Sequence, residues 1–464
     1  MSDFDLLVAG GRVLLASGEL AAADLGITQG RIAALLAPGS SAKAAERLDA
    51  TGLVVLPGII DAHLHLGHGS DISRPRVPAD AAGETAAAAV GGVTTLIPYL
   101  MGTTAYEGGL FDEVVQVTEA GARVDFGYHF IIATEEQLAG IPLYVGEYGV
   151  SSFKIFMNNR GGEGTRLGLP DIDDGFLYRL AEAAAAQGAL VCPHPENIEV
   201  SWVLRDREKA RDPEGRGGLA AWNATRPPFI EADAVQRAAL LSEAAGAALY
   251  VVHTSSAHAL KAGLAARQQG GRVLIETCPH YLTHDVTWPG GDLGKINPPL
   301  RGPADREALW AAVADGSVDT VATDHVHRTA EGKKGGIWAA SPGCPGLETL
   351  LPVMLTEGHH KRGIPLARIS DLLSRNPARI MGLENKGAIE IGKDADLAIV
   401  DLAAEWTLGP SDIRSSAGYS IYEGWRFRGQ VRHTLVRGAF ALRDGALQDG
   451  QVGQGRFVHR RAAH

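Results

Sequence analysis

Apolar residues follow two rhythms along the chain. Between residues 4 and 37, strand-like runs such as F-D-L-L-V-A-G-G-R-V-L-L and A-D-L-G-I-T-Q-G-R-I-A-A-L are separated by Gly-rich turns and predict a small antiparallel sheet. The same rhythm returns after Gly387 in G-A-I-E-I-G-K-D-A-D-L-A-I-V-D and V-R-H-T-L-V-R-G-A-F-A-L-R-D-G. Two β-rich ends around a different middle predict one discontinuous β-sandwich.

The middle alternates apolar strands with Ala-rich helices. Strands are expected at residues 54–66, 92–100, 124–132, 150–156, 189–194, 248–253, 272–278 and 318–324, and helices at 173–187, 233–245, 258–269, 304–314 and 346–357. Eight strands alternating with helices are what a (β/α)8 barrel requires. The expected division is residues 1–53 and 387–464 in the sandwich and 54–386 in the barrel. The third helix is poorly defined, and the segment 197–232 exceeds an ordinary loop. Insertions of that length above a barrel form lids or interfaces.

A chain of 464 residues suits a large barrel with a smaller second domain. No apolar stretch reaches membrane length, and M-S-D-F-D-L-L-V lacks the features of a signal peptide, so the expected location is cytoplasmic. A net charge of -11 argues against nucleic acid or an anionic membrane as partner. The three cysteines have no paired spacing, which speaks against a disulfide framework or a thiolate zinc site.

Polar residues concentrate at the carboxyl ends of the expected strands, where barrels build their active sites. His63 and His65 lie two apart in V-V-L-P-G-I-I-D-A-H-L-H-L, so both face one side of a strand and can reach one cation. Lys154 lies in S-S-F-K-I-F-M, His194 in V-C-P-H-P-E, His253 in Y-V-V-H-T-S-S and Asp324 in V-A-T-D-H. A single strand-end histidine more often packs than ligates; the joint arrangement points to metal. An ammonium inside an apolar strand is costly, whereas a neutral amine can take up carbon dioxide as a carbamate, an anion able to bridge two metals. The other reading of Lys154 is a lysine paired with Asp324 or a glutamate.

These motifs, from P-G-I-I-D-A-H-L-H to G-K-D-A-D-L-A-I-V-D, resemble those of the cyclic amidohydrolases of the amidohydrolase superfamily, the group of dihydropyrimidinase and hydantoinase, allantoinase and dihydroorotase. The resemblance covers nearly the whole chain. It implies two divalent metal ions, usually zinc, bridged by carboxylated Lys154, with His63, His65 and Asp324 on one ion and His194 and His253 on the other. It also implies a small cyclic amide, imide or ureide as substrate and a homo-oligomer, tetramer or dimer. Two cations roughly 3.5–4 Å apart lower the pKa of a bridging water. The resulting hydroxide would attack the ring carbonyl, with Asp324 carrying its proton to the leaving nitrogen. Hydantoinase- or dihydropyrimidinase-like ring opening is the main expectation, and allantoinase or dihydroorotase-like ring opening the alternative.

Some positions depart from the family patterns. Dihydroorotase-like chains typically have an arginine two residues beyond the second histidine, where this chain has Gly67. Hydantoinases and dihydropyrimidinases usually place a tyrosine five residues after the lysine, where this chain has Asn159, an amide of shorter reach. The segment K-I-N-P-P-L-R, with Asn297 and Arg301, resembles the dihydroorotase-like branch; Asn297 either meets the substrate's ring amide or caps a turn before two prolines. Gly343 and Gly346 form either a close-approach loop at the substrate or an ordinary turn. His280, His325 and His327 either border the pocket or pack. Lys154 speaks against a mononuclear deaminase of the same superfamily. The presence of all six metal-binding residues speaks against a noncatalytic scaffold.

Overall fold

In the computed structural model, which describes residues 2–462, the apolar run 54–66 forms two strands and not the single one expected. Val54–Pro57 pairs antiparallel with Leu397–Thr407 and parallel with Arg12–Leu14, whereas Ile59–His65 opens the barrel. Gly58 makes the break. Its N–H donates to the Asp396 carbonyl at 2.8 Å, and a Cβ there would lie 2.2 Å from Thr94 Oγ1. Both halves are apolar because each is buried in its own sheet, so the hydrophobic pattern runs through the turn unmarked.

The sandwich draws on both ends of the chain. One sheet runs Arg31–Leu36, Asp24–Thr28, Phe4–Ala9 and Ala44–Asp49 in spatial order. The other runs Ala446–Leu447, Ala439–Arg443, Arg426–Val436, Leu397–Thr407, Val54–Pro57, Arg12–Leu14 and Leu20–Ala22. Leu6, Val8, Leu25 and Ile27 from the first part, with Val55 from the strand just before Gly58, share one core with Leu397, Ile399 and Leu435 from the second. The extreme positions of the expected division, residues 1 and 464, lie outside the described residues.

The barrel strands follow as Ile59–His65, Val93–Leu100, Asp125–Phe126 with His129–Ile131, Ser152–Phe156, Leu190–His194, Ala248–Val251 and Val273–Thr277. The eighth is the broken stretch Thr320–Val321 and His325–Val326. Its first half pairs with the seventh strand through Glu276 and Thr277, and its second half pairs with the first strand through Leu64 and His65, which closes the ring. The helices between are fixed by local caps: the Asp173 carboxylate accepts from Phe176 N–H before Asp174–Ala186, and Ser256 does the same before Ala257–Gln268. The segment 197–232 is helical, with Ile198–Arg211 capped by Asn197, then Gly218–Thr225 and the start of Pro228–Ala244.

Two buried charged clusters hold this frame together. Lys386 Nζ lies 2.8 Å from Asp125, 3.4 Å from Asp394 and 2.5 Å from Asp396, joining the barrel's third strand to the sandwich. At the start of the fourth strand, the Arg460 guanidinium donates to the Tyr128 carbonyl and to Ser152 Oγ. Cys192, Cys278 and Cys344 are buried and unpaired, and no described helix is long and apolar enough to cross a membrane.

Candidate metal centre

At the carboxyl mouth, His63, His65, Lys154, His194, His253 and Asp324 line one cavity of about 140 Å³. His63 and His65 come from the first strand, Lys154 from the fourth and His194 from the end of the fifth. Possible ligand atoms of His63, His65 and Asp324 all lie within 4.8 Å of one another. Asp324 Oδ1 is 3.1 Å from His63 Nε2 and 3.9 Å from His65 Nε2. Across the cavity, His194 Nδ1 faces His253 Nε2 at 2.9 Å, and the rings of His63 and His253 are 5.3 Å apart. The Lys154 ammonium stands 4.6 Å over the Tyr99 ring and has no carboxylate within 4 Å among the described residues, so the expected alternative of a paired lysine is not what the structure holds.

Backbone conformation aims two of these groups. His253 has φ 41° and Asp324 φ 48°, left-handed values that cost a non-glycine residue and persist where neighbours over-determine them. The His253 N–H donates to Glu276 at 2.8 Å, and the N–H groups flanking Asp324 are held by Asp61 and by Thr323 Oγ1 at 3.1 and 3.0 Å. The left-handed residue at 324 also explains why the eighth strand is broken there.

Burial and the carboxylates set the charge of each group differently. Burial pushes the His65 imidazole down to about 3 and holds His253 well below its ordinary range, which keeps both neutral. Burial also drives Lys154 down to about 8, against the pull of Asp324. Burial alone would raise Asp324, but His63 outweighs it and holds the carboxyl well below the usual range. For His63 the carboxylates of Glu276 and Asp324 overcome burial and push it up to about 9. The neutral imidazoles of His65 and His253 and the ionised Asp324 are donors suited to zinc and its first-row neighbours, and a cation there would take the place of the proton that His63 holds against Asp324.

A supporting shell escaped the sequence reading. Glu276, from the seventh strand, lies 2.6 Å from His63 Nδ1 and accepts from Tyr250 at 2.7 Å. Glu196 takes His194 Nε2 at 2.7 Å, and Asp61 takes the Thr323 hydroxyl. The available signal was a carboxylate inside an apolar strand, as in V-L-I-E-T and I-I-D-A-H.

Asn159, Asn297 and Gly343 also line the cavity. Asn159 Nδ2 and Asn297 Oδ1 are buried without a hydrogen-bond partner in the structure. Gly343 has φ 106°, and a Cβ there would stand 2.8 Å from Val326, so the loop approaches more closely than a side chain would allow. Arg301 is engaged elsewhere, by Glu231, Ser255 and Asn223. His280, His325 and His327 are absent from the cavity lining; His325 sits between Glu84, at 3.0 Å, and the Gly346 N–H. Gly67 has no room for an arginine, since a Cβ would fall 1.9 Å from the Asp71 carbonyl oxygen.

A closed α/β barrel with such a mouth is an amidohydrolase architecture, and the family model described as "Amidohydrolase family" matches residues 256–441. An allantoinase of Rubrobacter xylanophilus is 37% identical over 99% of this chain and 98% of its own. A D-hydantoinase of Ralstonia pickettii is 32% identical over 98% of this chain and 99% of its own. Among solved structures, a D-hydantoinase superposes with TM-score 0.89 at 29% identity, covering 99% of this chain and 100% of that one. A dihydropyrimidinase from Brevibacillus agri superposes with TM-score 0.88 at 30% identity, covering 99% of each chain. The chain belongs to the cyclic amidohydrolase family of metal-dependent hydrolases.

Proposed function

We propose that the chain opens a ring ureide of the hydantoin type by hydrolysis at a centre of two zinc ions. Allantoin contains the same ring, so the allantoinase and hydantoinase relatives call for one reaction at the ring amide. The reading rests on one observation: four histidines, Lys154 and Asp324 face a single cavity. His63, His65 and Asp324 would hold one ion, His194 and His253 the other, and Lys154, carrying carbon dioxide as a carbamate, both. When bound, the ions supply a water acidified to hydroxide near neutral pH and a Lewis acid for the ring carbonyl.

The chain's own groups do the rest. Asp324 is kept ionised beside His63, so its free oxygen can accept a proton from the nucleophile and return it to the leaving ring nitrogen. The unpartnered Asn159 Nδ2 can donate to the carbonyl oxygen as charge develops, in place of the tyrosine usual at that position. Asn297 Oδ1 can accept from a ring N–H, beside the stretch of the cavity wall that Gly343 forms.

Three unpaired buried cysteines support a reducing, cytoplasmic location. A homo-oligomer, tetramer or dimer, follows from the family resemblance.

Metal analysis joined to a ring-opening panel tests the reading. About two ions per chain are expected, with ions and activity lost together in Lys154→Ala. Hydantoins, allantoin, dihydrouracil, dihydroorotate and cyclic imides would serve as substrates. A fully metallated enzyme that left every ring intact would remove the proposal.

A further inference from the structure

Beside the metal cavity lies a second, larger one of about 770 Å³. Ile72, Arg166, Leu167 and Arg328 line both, so the two spaces meet there. Arg74 and Arg76 line the outer space as well, giving four guanidinium groups against one carboxylate, Asp71. That is a cationic mouth on a chain whose net charge is -11.

Most charged groups around it are already engaged. Arg76 holds Asp71 at 2.7 Å, and Arg74 holds Glu113 at 3.0 Å. Glu163, which lines the metal cavity, is taken by Arg205 at 2.9 Å and by the Trp202 indole N–H at 2.7 Å. Arg226, also in that lining, lies 3.4 Å from Glu196. Arg166 and Arg328 are different, for neither has a carboxylate within 4 Å among the described residues. Arg328 is half-buried, its Nη1 reaches only the Ser70 carbonyl at 3.4 Å, and its Nε is buried without a partner. Burial and the nearby Arg166 charge both push its pKa down. Arg166 is exposed and lines the same junction, so an anion entering there meets one solvated and one partly desolvated guanidinium, neither of them engaged by a carboxylate.

We propose that the ring opened at the metal centre carries an anionic arm, a carboxylate on a ring substituent, which Arg166 and Arg328 grip at the junction of the two cavities. The preferred class is a hydantoin-type ring with a carboxymethyl or carboxyethyl side chain. Arg74 and Arg76, already paired, add to the local field that draws the anion in. The inference rests on the ring-opening reading above and adds the substituent.

The test compares kcat/KM of the zinc-loaded enzyme for hydantoin-5-acetic and hydantoin-5-propionic acids with that for their carboxamides. The carboxylates are expected to be favoured by about tenfold or more, an advantage that shrinks as salt rises. In Arg166→Gln and Arg328→Gln the carboxylate-to-carboxamide ratio should fall about tenfold, while Arg328→Lys should restore part of it. Dihydroorotate, whose carboxylate sits on the ring itself, should gain no such advantage. Equal turnover of acid and amide, or ratios unchanged in both glutamine variants, would overturn the anionic arm while leaving ring opening intact. Failure to open any ring would overturn the underlying reading and this inference with it.

Discussion

Glu276 Oε1 lies 2.6 Å from His63 Nδ1, with both side chains fully buried. The carboxylate holds a proton on Nδ1 and points Nε2 at Asp324 and the cavity. Glu276→Gln keeps the shape and removes the charge. Metal affinity should fall by about 10- to 100-fold, with activity falling alongside. Competition with a chelator measures it, and unchanged affinity would show that Glu276 does no more than fill the strand.

Asn159 is 3% exposed, with an amide nitrogen that has no partner. If it donates to the developing oxyanion, Asn159→Ala should lower kcat by about 100- to 1000-fold with a smaller change in KM. A rise in KM at constant kcat would instead assign it to ground-state binding.

Lys386 sits inside a trio of aspartates, Asp125, Asp394 and Asp396, whose oxygens cluster closely enough to suggest a cation site. The ammonium already occupies that position. Lys386→Met should destabilise the fold by about 3–5 kcal/mol, because it takes the cation from Asp394 and Asp396 and leaves Asp125 to Arg437 alone. Urea unfolding gives the size of the loss. Ions per folded chain should stay the same, and an extra ion bound in the wild type at these aspartates would contradict the assignment.

Gly67 occupies the place of the substrate-binding arginine of dihydroorotase-like chains, and its Cβ direction is blocked by the 71–72 backbone. Gly67→Arg should therefore displace the loop at residues 66–72 and reduce ring opening generally. Assays on hydantoin and dihydroorotate separate this from a specificity switch, in which only the second would rise.

Much of the barrel was legible because its strands are short apolar runs ended by polar residues of distinctive chemistry. Lys154 stood out as a charge where the pattern demanded an apolar side chain. By the same criterion Glu276 and Asp61 are visible as carboxylates inside apolar strands. The division of 54–66 into two strands was not legible, since burial on both sides of Gly58 erases the contrast that periodicity needs. Arg166 and Arg328 were also hidden: each is an ordinary polar residue between elements in the sequence until folding brings both to the lining of the same two cavities.

Val54–Pro57 has its antiparallel neighbour in Leu397–Thr407, and nearly the whole barrel separates them in the chain. On the ribosome, the strand that leads into His63 and His65 therefore waits with an open edge until almost everything else has been synthesised. Such late, long-range closure slows folding, because the entropy of closing so long a loop is lost before the pairing rewards it.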